Sequence, residues 1–122
     1  MDIRLEKYDP KTEYFFEEGC FITELSNSES DPEVSVARAR VESGKTTKWH
    51  ALEGITERYL ILEGRGRAEV GNIEAQVLEK GDVLIIPANT RQRITNTGGG
   101  DLIFLAICSP RFTKSTYRHL QD

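Results

Sequence analysis

The chain has 122 residues, enough for one domain of ordinary size, and 38% of them are hydrophobic, enough for a buried core. A net charge of −4 and a sequence pI of about 5.3 argue against a nucleic-acid partner and an anionic membrane surface. No run of about 18 apolar residues is present, and segment 1–19 is charged throughout. Neither a transmembrane helix nor a signal peptide is therefore expected.

Short apolar runs separated by glycine and polar turns dominate the chain, and helical periodicity is weak. This pattern favours an all-β fold, and so many short strands in one domain indicate a sandwich or a barrel. We divide the chain into an N-terminal arm and strand (1–33), a barrel core (34–110) and a C-terminal tail (111–122) that forms a short helix or frays. The predicted strands, in chain order, are about 20–25, 34–41, 57–64, a hairpin of 67–70 with 73–78, one within 79–87, and two within 91–110 that flank glycines 98–100.

The two cysteines give no sign of catalysis. Cys20 and Cys108 lie far apart without C-x-x-C spacing, which favours free thiols in a reducing compartment, with a single bridge as the alternative. Cys108 ends a strand with no base nearby in sequence, so we expect a buried, inert thiol. These features predict a cytoplasmic protein.

A first group of residues combines turn formers with chemistry. Gly44, His50, Glu57 and Gly64 are spaced as glycine, five residues, histidine, six residues, glutamate, six residues, glycine. This spacing resembles the first sequence motif of the cupin superfamily. That motif has a second histidine two residues after the first, where this chain has Leu52.

A second group of residues again combines turn formers at defined spacing. Gly81, Pro87 and Asn96 are spaced as in the second cupin motif. Asn89 stands where that motif has a glycine, and Gln92 stands where it has a histidine. The resemblance covers about residues 34–110. It implies a single-domain cupin-type antiparallel β-barrel, also described as a double-stranded β-helix or jelly roll.

The same resemblance implies a metal set that is weakened or absent. Cupins hold a metal ion with three histidines and one glutamate on the inner wall of the barrel, and this chain offers His50, Glu57 and Gln92. One interpretation is a weakly held divalent ion, which could be manganese, iron, nickel or zinc. The other is a vestigial site in which the three side chains form a hydrogen-bonded network.

Three neighbouring features have two interpretations each. Tyr59 shares the face of Glu57, so it either orients a substrate or donates a proton, or it is simply part of the wall. Arg38 and Arg40 share one face of their strand, which either lines the cavity and binds an anion or lies on the surface. Trp49 should point away from His50, toward a second layer or a subunit contact. Arg91 and Arg93 should point away from Gln92.

We expect a protein that binds a small molecule in the barrel cavity. The alternative is a metal-dependent enzyme of the sugar isomerase, epimerase or lyase type, in which His50 is the base, Glu57 holds its tautomer and Tyr59 assists. A purely structural or regulatory module is a third hypothesis. The apolar segment 20–25 needs a partner, and many cupins pair through N-terminal strands, so we expect a homodimer.

Overall fold

A computed structural model gives the fold of residues 1–121, which form eleven β-strands and two short 3₁₀ helices. Neither helix in this range has the length or the apolar run that a membrane span requires. The helices are Pro10–Thr12 and Lys114–Thr116. The strands are β1 (Tyr14–Phe16), β2 (Cys20–Ser26), β3 (Ser35–Val41), β4 (His50–Leu52), β5 (Thr56–Glu63), β6 (Gly66–Val70), β7 (Gln76–Leu78), β8 (Val83–Ile86), β9 (Gln92–Asn96), β10 (Leu102–Ser109) and β11 (Tyr117–His119).

The strands form two antiparallel sheets with a shared core. The six-stranded sheet has the order β1-β2-β3-β10-β5-β8, and the five-stranded sheet has the order β11-β4-β9-β6-β7. Strands distant in sequence are neighbours in both sheets, as in a jelly roll, and the predicted all-β architecture is confirmed. Both end segments join the sheets, since β2 pairs with β3 and β11 pairs with β4.

Side chains that alternate between inward and outward positions along a strand fill the space between the sheets. On β5, Glu57, Tyr59 and Ile61 are buried, while Arg58 and Leu60 between them are only partly buried. Each fully buried large aliphatic side chain contributes about 1.5–3 kcal/mol. The main core is composed of Cys20, Ala39, Val41, Tyr59, Ile61, Ala68, Val70, Leu78, Ile86, Ile94, Leu102 and Phe104.

A second apolar cluster lies at one end of the barrel. It joins the two sheets, because Tyr117 of β11 in the five-stranded sheet packs edge-on against Phe16 of β1 in the six-stranded sheet, with ring centroids 5.1 Å apart. We call this end the mouth of the barrel and this group the mouth cluster. Its members are Leu52, Ile55, Cys108, Tyr117, Phe16 and Phe112.

The turn residues of the two motifs have the backbone conformations that they were expected to provide. Gly64 has φ +84°, and a Cβ there would lie 2.6 Å from the carbonyl oxygen of Asp101, so only glycine fits. Asn89 replaces a glycine and also has a positive φ, 65°, which asparagine tolerates better than most residues. Its side-chain oxygen accepts a hydrogen bond from the Gly54 backbone at 2.9 Å.

Arg38 and Arg40 pair with an acid outside the barrel, and Arg91 and Arg93 cover Trp49. Arg40 bonds Glu13 through two nitrogens, at 3.1 and 2.8 Å, and Arg38 lies 3.6 Å from the same carboxylate. These contacts are on the exterior of the six-stranded sheet, opposite the cavity-lining Ala37. Trp49 is buried because the guanidinium groups of Arg91 and Arg93 lie 3.8 and 4.3 Å from its ring centre.

Candidate functional site

A buried chain of three hydrogen-bonded side chains lies on the inner wall of the barrel. The Tyr59 hydroxyl donates to Gln92 Oε1 at 2.5 Å, and Gln92 Nε2 donates to Glu57 Oε1 at 3.0 Å. Glu57 and Tyr59 face inward because they are two residues apart on β5, and Gln92 reaches them from β9 in the facing sheet. We call this chain the inner network. It satisfies the polar atoms that burial would otherwise leave without partners.

His50 lies beside this network, opposite Gln92 in the pairing of β4 with β9. Its Nδ1 is 2.7 Å from the Lys48 carbonyl oxygen, and a carbonyl only accepts, so Nδ1 carries a proton and donates. Its Nε2 faces Glu18 Oε2 at 3.6 Å, an ion pair whenever the ring is protonated. The ring also stacks on Tyr117, with centroids 5.3 Å apart.

The fold shifts the pKa of Glu57 to near neutral pH. Its burial, together with the nearby Glu18 carboxylate, raises the pKa of Glu57 to about 7. The opposing influences are His50, the hydrogen bond from Gln92 and the contact with Cys108. A carboxyl group poised near neutrality can give or take a proton at ordinary pH.

A small cavity of about 50 Å³ opens beside Glu57. That volume holds a few water molecules or one small functional group, since one water needs about 10–15 Å³ by the same measure. Of the predicted site residues, Glu57 lines it, and His50, Tyr59 and Gln92 do not. The lining residues are Tyr14, Phe16, Glu18, Ile22, Glu24, Ser35, Ala37, Glu57, Ala106, Cys108 and Phe112.

Cys108 is buried as expected, but it does have an acid–base partner in space. Its Sγ lies 3.8 Å from Glu57 Oε2, across the pairing of β10 with β5. Burial raises the pKa of the thiol, and the Glu57 carboxylate raises it further, so a reactive thiolate is disfavoured. Cys20 is a free thiol as well, and burial likewise raises its pKa.

Within the predicted metal set, Gln92 is hydrogen-bonded to Glu57, and His50 lies beside them. The amide oxygen of Gln92, its one side-chain atom able to coordinate a metal, already accepts from Tyr59, and the amide nitrogen donates to Glu57. Across the described part of the chain, no group of three or more His, Cys, Asp or Glu side chains is arranged to hold a metal ion. In this arrangement the residues do not fit a resident ion, and metal binding stays a prediction.

Two members of the site had no signal in the sequence. Glu18 lies in the β1–β2 turn beside Gly19, whose φ is +101°, and it reaches His50 only through the fold. Tyr117 comes from the predicted tail, and its buried hydroxyl has no hydrogen-bond partner within residues 1–121. A run of acidic and aromatic residues in a turn or a tail is ordinary surface composition, so neither residue could be singled out.

Comparison with known proteins agrees with this architecture. A family model described as "Cupin domain" matches residues 37–108. An uncharacterised protein of Methanocaldococcus jannaschii is 34% identical over 115 residues, which is 93% of this chain and 91% of that protein.

Solved structures show the same fold at low sequence identity. Pac13, a nucleoside dehydratase, is 23% identical with a TM-score of 0.77 over 94% of this chain and 90% of that one. A Streptomyces Pac13 variant was solved with uridine. KdgF from Halomonas is 17% identical with a TM-score of 0.73 over 84% of this chain and 89% of that one. A protein with a double-stranded β-helix domain from Klebsiella pneumoniae is 13% identical with a TM-score of 0.75 over 92% and 93%.

Proposed function

Because this chain belongs to the cupin domain family, we propose that it binds a small organic molecule at the barrel mouth and presents the Glu57 carboxyl group to it. The observation that carries the proposal is the position of Glu57. One of its oxygens is held by Gln92, and among the described residues its other oxygen, Oε2, has only the Cys108 thiol, a weak donor, as a partner. A ligand donor in the cavity would supply the stronger hydrogen bond.

The walls of the cavity suit an organic ligand. Phe16, Phe112 and Ala106 supply apolar surface, and Glu18, Glu57 and Ser35 supply the few polar groups. A mostly apolar pocket with a few convergent polar groups is the usual composition of a small-molecule site.

Binding at Glu57 is tested by closing the cavity. Ala37 lines it, and Ala37→Leu would fill its small volume with three further carbon atoms. Uridine, bound by a Pac13 variant, is the first probe, followed by a library of small alcohols, amides and sugars observed by NMR. Probes that shift the Glu57 carboxyl carbon in the wild type should not do so in Ala37→Leu. Ala75→Leu, outside the cavity lining, is the control. Probe binding that survives in Ala37→Leu would contradict the proposal.

The second candidate function is acid–base catalysis by the same group, as in a lyase or an isomerase. It is favoured by the pKa of Glu57, about 7, which allows the carboxyl group to alternate between acid and base near neutral pH. Pac13 is itself a dehydratase of similar fold. His50 and Tyr59 then act as positioning residues, because neither side chain lines the cavity. In a substrate screen with product detection by mass spectrometry, Glu57→Gln should abolish any turnover found, and full activity in that variant would exclude this role.

Metal dependence is the remaining alternative for His50, Glu57 and Gln92. Metal analysis of protein purified without an affinity tag tests it directly. For Gln92 to bind a stoichiometric manganese, iron, nickel or zinc ion, its Oε1 would have to use its second lone pair or give up the hydrogen bond from Tyr59. Neither role proposed for Glu57 requires a metal ion.

We also propose that the chain forms a homodimer. Residues 1–9 form no strand, and Ile3 and Leu5 in this arm are 104% and 74% exposed. On the edge strand β8, Val83 and Ile85 are 57% and 61% exposed. An apolar edge and an apolar arm are features that a second copy of the chain would cover.

The oligomeric state is tested by light scattering at tens of micromolar. The wild type should have twice the mass of the chain, and Ile3→Asp with Leu5→Asp should shift it toward the monomer. Lys7→Asp, a change of charge in the same arm, is the control for charge alone. A monomeric wild type would contradict the proposal.

A further inference from the structure

A second, larger cleft continues from the cavity toward the outside. Its volume is about 550 Å³, within the range of small-molecule pockets, which is about 300–1,000 Å³. The two spaces share Tyr14, Phe16, Glu24 and Phe112. A ligand lying in this mouth cleft would therefore pass these four side chains to reach Glu57.

Two buried polar atoms without partners belong to this cleft. They are Arg111 Nε, a donor, and Asn27 Oδ1, an acceptor, and neither has a hydrogen bond within residues 1–121. The orientation of the Asn27 amide is fixed, because its Nδ2 donates to the Phe112 carbonyl oxygen at 2.8 Å. Leaving such an atom unsatisfied costs about 1–3 kcal/mol, so a donor and an acceptor left together in one cleft indicate a missing partner.

The cations of the cleft are also uncompensated. Arg111 and Lys114 line it, and neither forms an ion pair within the described chain. Of the two acids that line it, Glu17 is exposed, and Glu24 accepts a hydrogen bond from the Tyr14 hydroxyl at 3.3 Å. Glu24 is also exposed, and desolvation raises its pKa against hydrogen bonds from Tyr14 and Asn27 that lower it. Neither acid is within ion-pair distance of Arg111 or Lys114, so these two cations have no counter-ion among the described residues.

We propose that the mouth cleft binds the oxyanion of the ligand, a carboxylate or a phosphate, against Arg111 and Lys114. The oxyanion gives the Nε–Nη edge of the guanidinium a bidentate acceptor, which is the geometry that arginine recognises best. Asn27 Oδ1 accepts from a hydroxyl or amide N–H group next to the oxyanion. Phe16, Phe112 and Tyr14 cover the apolar part of the molecule, whose other end reaches Glu57. The reach to Glu57 rests on the proposed function, whereas the anion contact stands on the cleft alone.

The test uses three matched probes with one ring and different head groups: benzoate, phenyl phosphate and benzyl alcohol. Binding is followed by NMR through the Nε–H resonance of Arg111, assigned by its loss in Arg111→Lys. We expect one or both anions to shift this resonance and to bind at least about tenfold more tightly than benzyl alcohol, since a charge-assisted hydrogen bond is worth about 1.5–3 kcal/mol. The stronger of the two anions identifies the head group as a carboxylate or a phosphate.

The variants separate this site from the proposed function. Arg111→Lys keeps the charge but loses the planar fork, and it should weaken the preferred anion about tenfold. Lys114→Gln should weaken it less, and Lys80→Gln, an exposed site away from the cleft, should have no effect. Anion binding should persist in Ala37→Leu and Glu57→Gln, even if the inner cavity proves to bind nothing. Equal affinity for all three probes, or unchanged anion binding in Arg111→Lys, overturns the proposal.

Discussion

On the inner wall of the barrel, Tyr59, Gln92 and Glu57 satisfy one another, whereas at the mouth Asn27, Arg111 and Tyr117 each keep a buried polar atom without a partner in the described chain. The polar atoms compared in the two regions are all buried, so burial alone does not explain why one set has partners and the other does not. A satisfied network makes a wall rigid and adds stability, while an unsatisfied atom reduces stability by about 1–3 kcal/mol. The contrast supports the two proposals made above, that the inner network holds Glu57 in place and that the mouth is the part that meets a ligand.

The largest expected effect comes from breaking the inner network at its centre. Within residues 1–121, Gln92→Leu removes the one hydrogen-bond partner of the Tyr59 hydroxyl and the strongest donor to Glu57, so two buried groups lose their partner at once. We expect the free energy of unfolding to fall by about 3–4 kcal/mol, measured by urea denaturation. Gln76→Leu is the matched control, because the Gln76 side chain is exposed on β7 and donates to the Glu74 backbone carbonyl. A loss below about 1 kcal/mol in Gln92→Leu would show that the network is not structural.

The next effect is a dependence of stability on pH through Glu57. Its pKa is about 7 in the folded chain and 4.5 as the ordinary value, so folding favours the protonated form. This contribution to stability is fully present below pH 4.5 and is lost as the pH rises through 7. At about 1.4 kcal/mol per pKa unit, the loss is about 3 kcal/mol.

Comparison with Glu57→Gln isolates that contribution from the rest of the chain. The difference in unfolding free energy between the wild type and this variant should change by about 3 kcal/mol between pH 4.5 and pH 7.5. The exposed Glu74→Gln is the control, and its difference from the wild type should stay constant. Parallel pH profiles for the wild type and Glu57→Gln would mean that Glu57 titrates normally.

The sequence was sufficient for the fold because the fold depends on local signals. Gly64 must be a glycine at its turn, and the alternation on β5 sends Glu57 and Tyr59 to one face. The resemblance to the cupin motifs then placed His50 and Gln92 near them, and the structure pairs these two residues across β4 and β9.

The mouth could not be predicted in the same way. Asn27 and Arg111 come from opposite ends of the chain, and neither shows any unusual sequence pattern. Tyr117 lies in a segment that the sequence assigned to a tail, yet β11 pairs it with Leu52 of β4. Whether a buried atom has a partner depends on contacts between residues far apart in sequence, which periodicity and spacing do not report.

A third variant asks whether the inner wall can be turned into a metal site. Leu52 belongs to the mouth cluster, and Leu52→His with Gln92→His would create a three-histidine, one-glutamate set with His50 and Glu57 if the two new side chains face these residues. At a nickel concentration about 100 times the Kd, stability should rise by about 2.7 kcal/mol, measured as a shift of the thermal midpoint. Each single variant should show a smaller shift, and the wild type is the reference. No metal-dependent shift in the double variant would mean that positions 52 and 92 do not face a common ligand site.

The smallest effect compares two buried tyrosines, one in each region. Tyr59→Phe removes a hydroxyl that donates to Gln92, so we expect the free energy of unfolding to fall by about 1–2 kcal/mol. Tyr117→Phe removes a hydroxyl that is buried without a partner in residues 1–121, so we expect stability to rise by up to about 1 kcal/mol. The two variants delete the same atom from the same residue type, so their opposite signs isolate the partner as the cause. Urea denaturation of both at pH 7 provides the measurement. Equal destabilisation by the two changes would remove the distinction between wall and mouth, because the hydroxyl of Tyr117 would then have a partner in solution. A stabilised Tyr117→Phe that also binds cavity probes more weakly would identify that hydroxyl as one of the groups that meets the ligand.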